Sequence, residues 1–499
     1  MTSGEARDES GISERTRHGA AVVVGGGYAG LVTTRILADF FATVVMIELD
    51  AVDGDTGVHP HVPQGYHAHV LLAKGAEVLE SLFPGLRTEL LEAGSPIYDY
   101  GERTSFLLPD GYAPQQPTGV QIQSLTRGEL ERRLRRRVLA LPGVSVRAGT
   151  RCVGLAARDG RVTGVSIRPS DAAAGIGVST GGSGTSDAES AESVESVELS
   201  ADFVVDASGR SSSLTGWLDR LGVRVPAKRV VKAKITYTSV RFDRSAQPDF
   251  DFAYQMPFAP DVPRGGVLLP VEGGTWMCSL CGVDENVPPI DAEGYLGFAR
   301  SMANPRLAEQ LENRDGTEPV YRYTSMNNEW HSFHRVADWP ERLIAVGDAV
   351  AVFNPVYGQG LTVTALEAEL LRTMLDRRGR PDGSGLELDG LAKAFQRRAA
   401  RLILPPWTLS SNSDMMWHPG RHPVSARVAH WYNRHLFAVA VAEPAVWTAF
   451  VRVINMLAPP TSLFRPSIAG KVLGRALRRR SATRPPGDRV SDEDNTLRV

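Results

Sequence analysis

Cysteine is scarce in this chain, with three residues among 499. So few thiols do not make a disulfide framework and are typical of a protein of the reducing cytoplasm. An excess of charge of one sign is also missing, because 55 basic residues face 57 acidic ones and the formal net charge is −2. Without a net positive field, nucleic acid and anionic membrane surfaces are disfavoured as partners.

Long hydrophobic runs are missing as well. The longest wholly apolar segments are short, such as LFAVAVA at 436–442, and residues 1–19 are polar and charged. We therefore expect neither a membrane span nor a signal peptide. The remaining composition, 42% hydrophobic and 22% charged, is that of a globular enzyme with room for two or three domains.

The most informative segment that is present reads AAVVVGGGYAG at 20–30. An apolar strand pattern runs into Gly25-x-Gly27-x-x-Gly30, a helical pattern follows, and a second strand, TVVMIE, ends at Glu48. Glycines at this spacing let a backbone turn approach a pyrophosphate, and an acid at the end of the second strand can bind a ribose. The segment predicts a dinucleotide-binding βαβ unit.

A second segment, VGDAVAVFNPVYGQG at 346–360, decides between dinucleotides. Asp348 follows a buried strand and can accept hydrogen bonds from a ribityl chain, Pro355 lies in the turn, and Gly358 and Gly360 open the next helix. Main-chain N–H groups there can stabilise the negative charge that reduction places on the N1–C2=O edge of a flavin. NAD needs no such distant second element, so the expected cofactor is FAD.

The predicted fold is α/β, with a glutathione-reductase-like Rossmann domain for FAD, an inserted antiparallel-sheet substrate domain and a C-terminal helical region. The low-complexity stretch after Arg168 reads as a tolerated surface insertion. The expected divisions are a disordered tail (1–18), the discontinuous FAD-binding domain (19–225 and 340–387) with a flexible insertion (170–198), the substrate domain (226–339), the helical region (388–478) and a second disordered tail (479–499).

These motifs resemble the group A flavoprotein monooxygenases related to para-hydroxybenzoate hydroxylase, and more closely the actinobacterial flavin epoxidases and monooxygenases of polyketide biosynthesis. The resemblance is carried by the glycine motif with Glu48, DASGRSS (206–212), GDAVAVFNPVYGQG (347–360), VPQGYHAHVLLAKGAEVLESLFPG (62–85) and NMLAPPTSLFRP (455–466). It implies FAD, with NAD(P)H as a transient reductant. It also implies that Arg127 reaches the FAD phosphates or ring and that Val153 contacts the adenosine through its backbone.

Three positions depart from the pattern of that group. Leu49 stands where Arg usually follows the ribose-binding Glu, and Tyr66 and Ser213 stand where the subgroup often has Arg. The departures at Leu49 and Tyr66 concern the handling of NADPH and of the flavin ring rather than the binding of FAD.

Two functions follow from this reading. One is a monooxygenase that passes an oxygen atom from a flavin C4a-hydroperoxide to an apolar polyketide- or terpenoid-like small molecule, with O2 as co-substrate. The alternative is a redox-neutral [4+2] cyclase, decalin-forming, in which FAD is structural and the pocket folds the substrate into a reactive shape. No catalytic side chain is assigned, although the pocket is expected near Tyr357 and His67 is a possible participant.

Four further residues and one charged run could each have a purely structural role instead of a functional one. His67 and His69 share a face of an extended segment but lack a convincing third metal ligand, so ordinary hydrogen bonding and a place near the flavin stay open. Cys278 and Cys281 fall three apart in a strand pattern and point to opposite faces, which favours core packing over a redox pair. The run ERRLRRRV (131–138) is expected to be a solvated helix face.

Overall fold

The computed structural model describes residues 18–52, 63–170, 196–244, 248–312, 314, 316–324, 326–379 and 385–482. The strands are β1 His18–Val24, β2 Phe41–Ile47, β3 Ala68–Leu71, β4 Ile97–Asp99, β5 Thr104–Leu108, β6 Gly111–Tyr112, β7 Gln121–Thr126, β8 Val144–Arg147, β9 Thr150–Arg158, β10 Arg161–Pro169, β11 Val197–Ser200, β12 Phe203–Asp206, β13 Arg229–Val231, β14 Ile235–Asp243, β15 Phe252–Gln255, β16 Arg264–Val271, β17 Thr275–Val283, β18 Val320–Tyr323, β19 Asn328–Trp330, β20 Leu343–Ala345 and β21 Ala351–Val352. The helices are α1 Tyr28–Leu37, α2 Ala73–Leu82, α3 Leu86–Glu92, α4 Arg127–Leu139, α5 Leu214–Arg220, α6 Ala292–Arg300, α7 Arg306–Leu311, α8 Gly360–Asp376, α9 Leu391–Met415, α10 Val424–Ala440, α11 Pro444–Ile454 and α12 Pro466–Ala482.

The nucleotide sheet is parallel, in the order β8-β2-β1-β12-β20. Strand β1 is central and its residues Ala21–Val24 are buried, as expected for a parallel strand covered on both faces. The strand order reverses between β1 and β12, so the crevice at the carboxyl ends of these two strands is the place where a doubly wound sheet binds its ligand. The predicted Rossmann domain is thus confirmed.

The large sheet is mainly antiparallel, in the order β18-β14-β17-β16-β15-β5-β6. Strands β5 and β6 join it because β5 pairs in parallel with β15, Phe252 opposite Thr104. The expected division, which assigned all of 19–225 to the FAD-binding domain, is therefore wrong for the segment 104–112. Cys278 and Cys281 lie buried in β17 and belong to different apolar clusters, so the prediction of core packing on opposite faces is confirmed.

The remaining strands form three small sheets of three strands each. Strand β21, just before the NPVYGQG turn, pairs with β19, which pairs with β13. Strand β7 pairs with β3 and β4 and ends at Thr126, directly before α4. Strands β10 and β11 form the hairpin arms expected on either side of the insertion, and residues 171–195 of that insertion lie outside the described residues.

The C-terminal helices pack on the large sheet. A second core joins Leu436 of α10 and Trp447 of α11 to Phe106 and Phe252 of the sheet. Helix α12 continues to Ala482, so residues 479–482, which were expected in a disordered tail, lie in a helix. None of the helices in the described part of the chain combines the length and apolar character needed to cross a bilayer.

Candidate active site

The glycine loop lies at the switch point of the nucleotide sheet. A side chain at Gly25, which has φ 103°, would place its Cβ 2.4 Å from the carbonyl oxygen of Ala207, and one at Gly30 would lie 1.9 Å from the carbonyl oxygen of Gly25. Both positions therefore require glycine for the fold itself. At Gly27 the nearest atom to a Cβ is Glu131 Oε1 at 3.9 Å, so the amino end of α1 is left open for the close approach of a ligand.

Glu48 follows β2 and is 7% exposed. Its Oε2 accepts a hydrogen bond of 2.6 Å from Gly26 N, and its Oε1 accepts one of 2.9 Å from Asp50 N. Each carboxylate oxygen has a second lone pair, so ribose hydroxyls can bind while the carboxylate holds the glycine loop.

Helix α4 brings two buried charges to this loop. Glu131 and Arg135 are each 1% exposed. Glu131 Oε1 accepts from Tyr28 N at 3.1 Å and from Arg127 Nε at 2.7 Å, and Arg135 Nη2 donates to Gly26 O at 3.5 Å. The expectation of a solvated face over 131–138 is wrong for these two residues, since their side of α4 packs on α1.

Arg127 lies between the glycine loop and the second motif. It is the first residue of α4, pairs with Glu131 and interacts electrostatically with both Tyr28 and Asp348. Asp348 is half-buried, and its carboxylate has no hydrogen bond within the described residues. Burial raises the pKa of Asp348, against the opposing charges of Arg127 and Arg210. The two motifs therefore meet around Arg127, with a carboxylate that is free to accept hydrogen bonds.

Glu367 of α8 is a site residue that sequence reasoning missed. It is 1% exposed, and its Oε2 accepts from Gly347 N at 2.8 Å, directly before Asp348. Burial, reinforced by the charge of Asp348, raises the pKa of Glu367 to about 8. In the sequence, the signal that could have identified Glu367 is its spacing from the apolar residues of α8, but the same pattern fits an ordinary amphipathic helix.

The turn that opens α8 leaves open space beside its glycines. Pro355 starts a short 3-10 helix, and Gly358 ends it with φ 67°. Neither Gly358 nor Gly360 has any described atom within 4 Å of an added Cβ. Gln359 is 4% exposed, yet its Oε1 lacks a partner within the described residues. These open and unsatisfied positions fit a ligand edge lying against the start of α8.

A buried polar network holds this turn from the other side. Asp414, the penultimate residue of α9, is fully buried and accepts hydrogen bonds from Asn354, Asn328 and Tyr357. Burial raises the pKa of Asp414 to about 6, because the stabilising hydrogen bonds from Asn354 and Tyr357 only partly offset it. Tyr357, near which the pocket is predicted, thus contacts Asp414, a neighbour that the sequence did not reveal.

The two histidines have different surroundings. His67 is 2% exposed, its Nδ1 lies 2.8 Å from Ser239 Oγ of the large sheet, and burial lowers its pKa to about 3. His69 Nδ1 donates to the His67 carbonyl at 2.8 Å. Burial, followed by the charge of Arg127, lowers the pKa of His69 to about 4. Both are neutral near pH 7, and His69 rather than His67 is the one coupled to Arg127.

Two other expected positions have local partners. The carbonyl oxygen of Val153 accepts from Arg220 Nη2 at 3.0 Å, and the contact to adenosine expected from the Val153 backbone stays a prediction. Tyr66 stacks on Tyr321 with ring centroids 4.3 Å apart. Two surface clefts, of about 820 and 530 Å³, are lined by none of the site residues named in this subsection.

Known sequences resemble this chain over most of its length. A family model described as an FAD binding domain matches residues 19–380. The protein Rv3254 of Mycobacterium tuberculosis is 30% identical over 474 residues, which cover 92% of this chain and 93% of that protein.

Solved structures share the fold at low sequence identity. PqsL of Pseudomonas aeruginosa in complex with 2-aminobenzoylacetate is 14% identical with a TM-score of 0.59, covering 80% of this chain and 98% of that one. The flavin-dependent brominase Bmp2 is 13% identical with a TM-score of 0.57, covering 92% and 99%. The OxyS anhydrotetracycline hydroxylase of Streptomyces rimosus is 15% identical with a TM-score of 0.54, covering 88% and 76%.

Proposed function

Because the chain belongs to the FAD-binding domain family of the group A flavoprotein monooxygenases, we propose that it is an FAD-dependent monooxygenase acting on an apolar polyketide- or terpenoid-like small molecule. The observation that carries the proposal is the meeting of both motifs at Arg127. The open helix start at Gly27 and the carboxylate of Asp348 lie near that residue, and the open helix start at Gly360 follows Asp348 in the second motif.

Each part of the site has a proposed task toward FAD. The amino end of α1 at Gly27 holds the pyrophosphate, and Glu48 accepts the adenosine ribose hydroxyls. Asp348 accepts hydrogen bonds from the ribityl chain. Arg127 would supply positive charge to the phosphates or the ring, and the N–H groups from Gly358 to Gly360 would stabilise negative charge on the N1–C2=O edge.

Bound FAD, reduced by NAD(P)H, supplies the activation of O2 and the transfer of one oxygen atom to the substrate. The chain's own contribution is binding, orientation and the exclusion of water. Neutral His67 and His69 add no positive charge to the space between the nucleotide domain and the large sheet.

An aromatic cluster supports an apolar substrate. The cluster begins at Tyr254 of β15, whose ring lies 4.6 Å from that of Phe106 between centroids. It continues between the large sheet and the C-terminal helices through Tyr100, Phe106 and Trp447. Ring faces of this kind suit a flat or polyene-like molecule better than a charged one. The hydroxylase OxyS is named for anhydrotetracycline, a polyketide, which fits this substrate class.

One observation keeps the redox-neutral cyclase as a second candidate. At the position where the resembling subgroup often has Arg, Tyr66 stacks on Tyr321 and carries no charge that could attract NADPH phosphate. A cyclase needs no reductant, because its pocket only orders the substrate.

Anaerobic mixing with NADPH or NADH separates the two candidates. A monooxygenase loses its visible flavin band on mixing and regains it when O2 is admitted, faster in the presence of substrate. Conversion of a polyene substrate by the oxidised protein, without reductant or O2, would replace the monooxygenase proposal with the cyclase.

A further inference from the structure

The network around Asp414 fixes which atoms are donors. Asn354 Oδ1 accepts from Val356 N at 3.1 Å. Asn328 Oδ1 accepts from Asn354 N at 2.9 Å and from Ser410 Oγ at 2.6 Å. A backbone N–H can only donate, so the oxygen of each amide is committed and its NH2 group points at Asp414.

Residue 414 must therefore be an acceptor at both oxygens. Asn354 Nδ2 lies 3.1 Å from Oδ1 and 3.0 Å from Oδ2, Asn328 Nδ2 lies 2.6 Å from Oδ2, and Tyr357 Oη lies 2.9 Å from Oδ1. An asparagine at 414 would place its own NH2 against that of Asn354 in either flip. The carboxylate is required by the geometry of its partners.

The three donors stand on elements that meet at the flavin-side turn. Asn354 and Tyr357 are the ends of the segment that holds Pro355, while Asn328 belongs to β19, which pairs with β21. Asp414 itself comes from α9, 54 residues after Gly360 in the printed sequence. One buried carboxylate thus joins the C-terminal helical region to the turn before α8.

We propose that Asp414 is a positioning residue for the flavin: through Asn354 and Tyr357 it fixes the turn whose N–H groups face the N1–C2=O edge. The C-terminal helical region then helps to position the flavin as well as packing over the proposed substrate space. The inference rests on the proposed placement of that edge at Gly358–Gly360.

The test is FAD affinity and the visible spectrum of the bound flavin in Asp414→Asn. Loss of buried hydrogen bonds to a charged group is expected to weaken FAD binding about tenfold or more. At saturating FAD, the band shape and the reduction potential are expected to shift, which a merely less stable protein would not show. Tyr357→Phe, which removes one donor and keeps the ring, serves as a second variant if Asp414→Asn does not fold, and it is expected to shift the same properties less.

The matched control is Ser411→Ala. Ser411 is a buried residue three positions before Asp414 on α9, and its hydroxyl has no partner within the described residues, so this variant should keep wild-type affinity and spectrum.

Gly360→Val, tested alongside, separates two kinds of failure. If Gly360→Val leaves FAD affinity unchanged, the placement of the flavin edge is wrong. If Gly360→Val weakens binding while Asp414→Asn and Tyr357→Phe behave as wild type, the positioning role alone is overturned.

Discussion

At the scale of single residues, the glycines of the first motif fall into two kinds. Gly25 and Gly30 are required by contacts within the protein, whereas Gly27 meets only the distant Glu131 oxygen. The sequence predicts all three as one fingerprint and cannot separate them, because the difference depends on which backbone lies opposite each Cβ. Only Gly27 can report on the ligand without disturbing the fold.

Gly27→Ala is expected to lower FAD retention while leaving the thermal stability of the FAD-free protein within about 1 kcal/mol of wild type. The added methyl group meets open space in the protein but would occupy the path of the pyrophosphate. Gly216→Ala in α5, also with no described atom within 4 Å, is the control. Equal FAD retention in Gly27→Ala and Gly216→Ala would place the pyrophosphate elsewhere.

Some of the acidic residues at the site can be predicted from the sequence and others cannot. Glu48 and Asp348 could be predicted because each follows a buried strand at a fixed distance from glycines. Glu131, Glu367 and Asp414 could not, because a carboxylate on a helix is usually solvated. Their burial depends on which neighbouring helix or turn covers them, and this information is not local in the chain.

At the scale of elements, the second motif depends on how α8 meets the loop after β20. Glu367 of α8 holds Gly347 N, and in the folded protein it keeps its proton up to about pH 8. Since the folded pKa is raised above the ordinary value of 4.5, the folded state binds the extra proton between these values. Stability is therefore lost as the pH rises through this range.

Glu367→Gln is expected to flatten this loss of stability, because the amide stays neutral and its oxygen can still accept from Gly347 N. Melting temperatures measured from about pH 5 to about pH 8 should fall less in Glu367→Gln than in wild type. Glu369→Gln, a partly exposed acid on the same helix, should keep the wild-type slope. An unchanged slope in Glu367→Gln would show that Glu367 is ionised throughout.

The insertion between β10 and β11 gives a second prediction at this scale. Ile167 pairs with Val197, so deletion of 172–196 leaves the short connection 168–171 between adjacent strands. The deleted stretch has too little apolar content to offset the entropy of ordering it. The shortened protein should be as soluble as the full chain and carry as much FAD. Insoluble protein, or loss of FAD on deletion, would mean that the insertion packs against the domain.

Whether a segment forms a strand was more predictable than which other strand it pairs with. The strand patterns of 226–339 correctly indicated an antiparallel sheet, but nothing in 104–112 indicates that β5 pairs with β15, about 150 residues later. Pairing over such distances depends on the assembled domain, which also explains why the domain boundary drawn from composition was wrong there.

At the scale of the whole molecule, the parts of the proposed flavin site come from segments spread over nearly 400 residues. Gly27, Arg127 and Asp348 are brought together by the strand order of the nucleotide sheet, and α9 reaches the same turn through Asp414. The fold was predictable because each motif carries its own strand and helix. The reach of the C-terminal helices into the site was not, since no motif marks Asp414.

The central claim is that FAD lies with its ring edge at the start of α8, and Gly360→Val tests it most directly. No described atom lies within 4 Å of a Cβ at Gly360 or at Gly297 of α6, so Gly297→Val is the matched control. The account predicts yellow wild-type protein that releases FAD on denaturation. Gly360→Val should lose FAD or its reduction by NAD(P)H, whereas Gly297→Val, Cys278→Ala and Cys281→Ala should behave as wild type. Wild-type FAD content and reduction rate in Gly360→Val, or a colourless wild-type protein that cannot be reconstituted with FAD, would contradict the account.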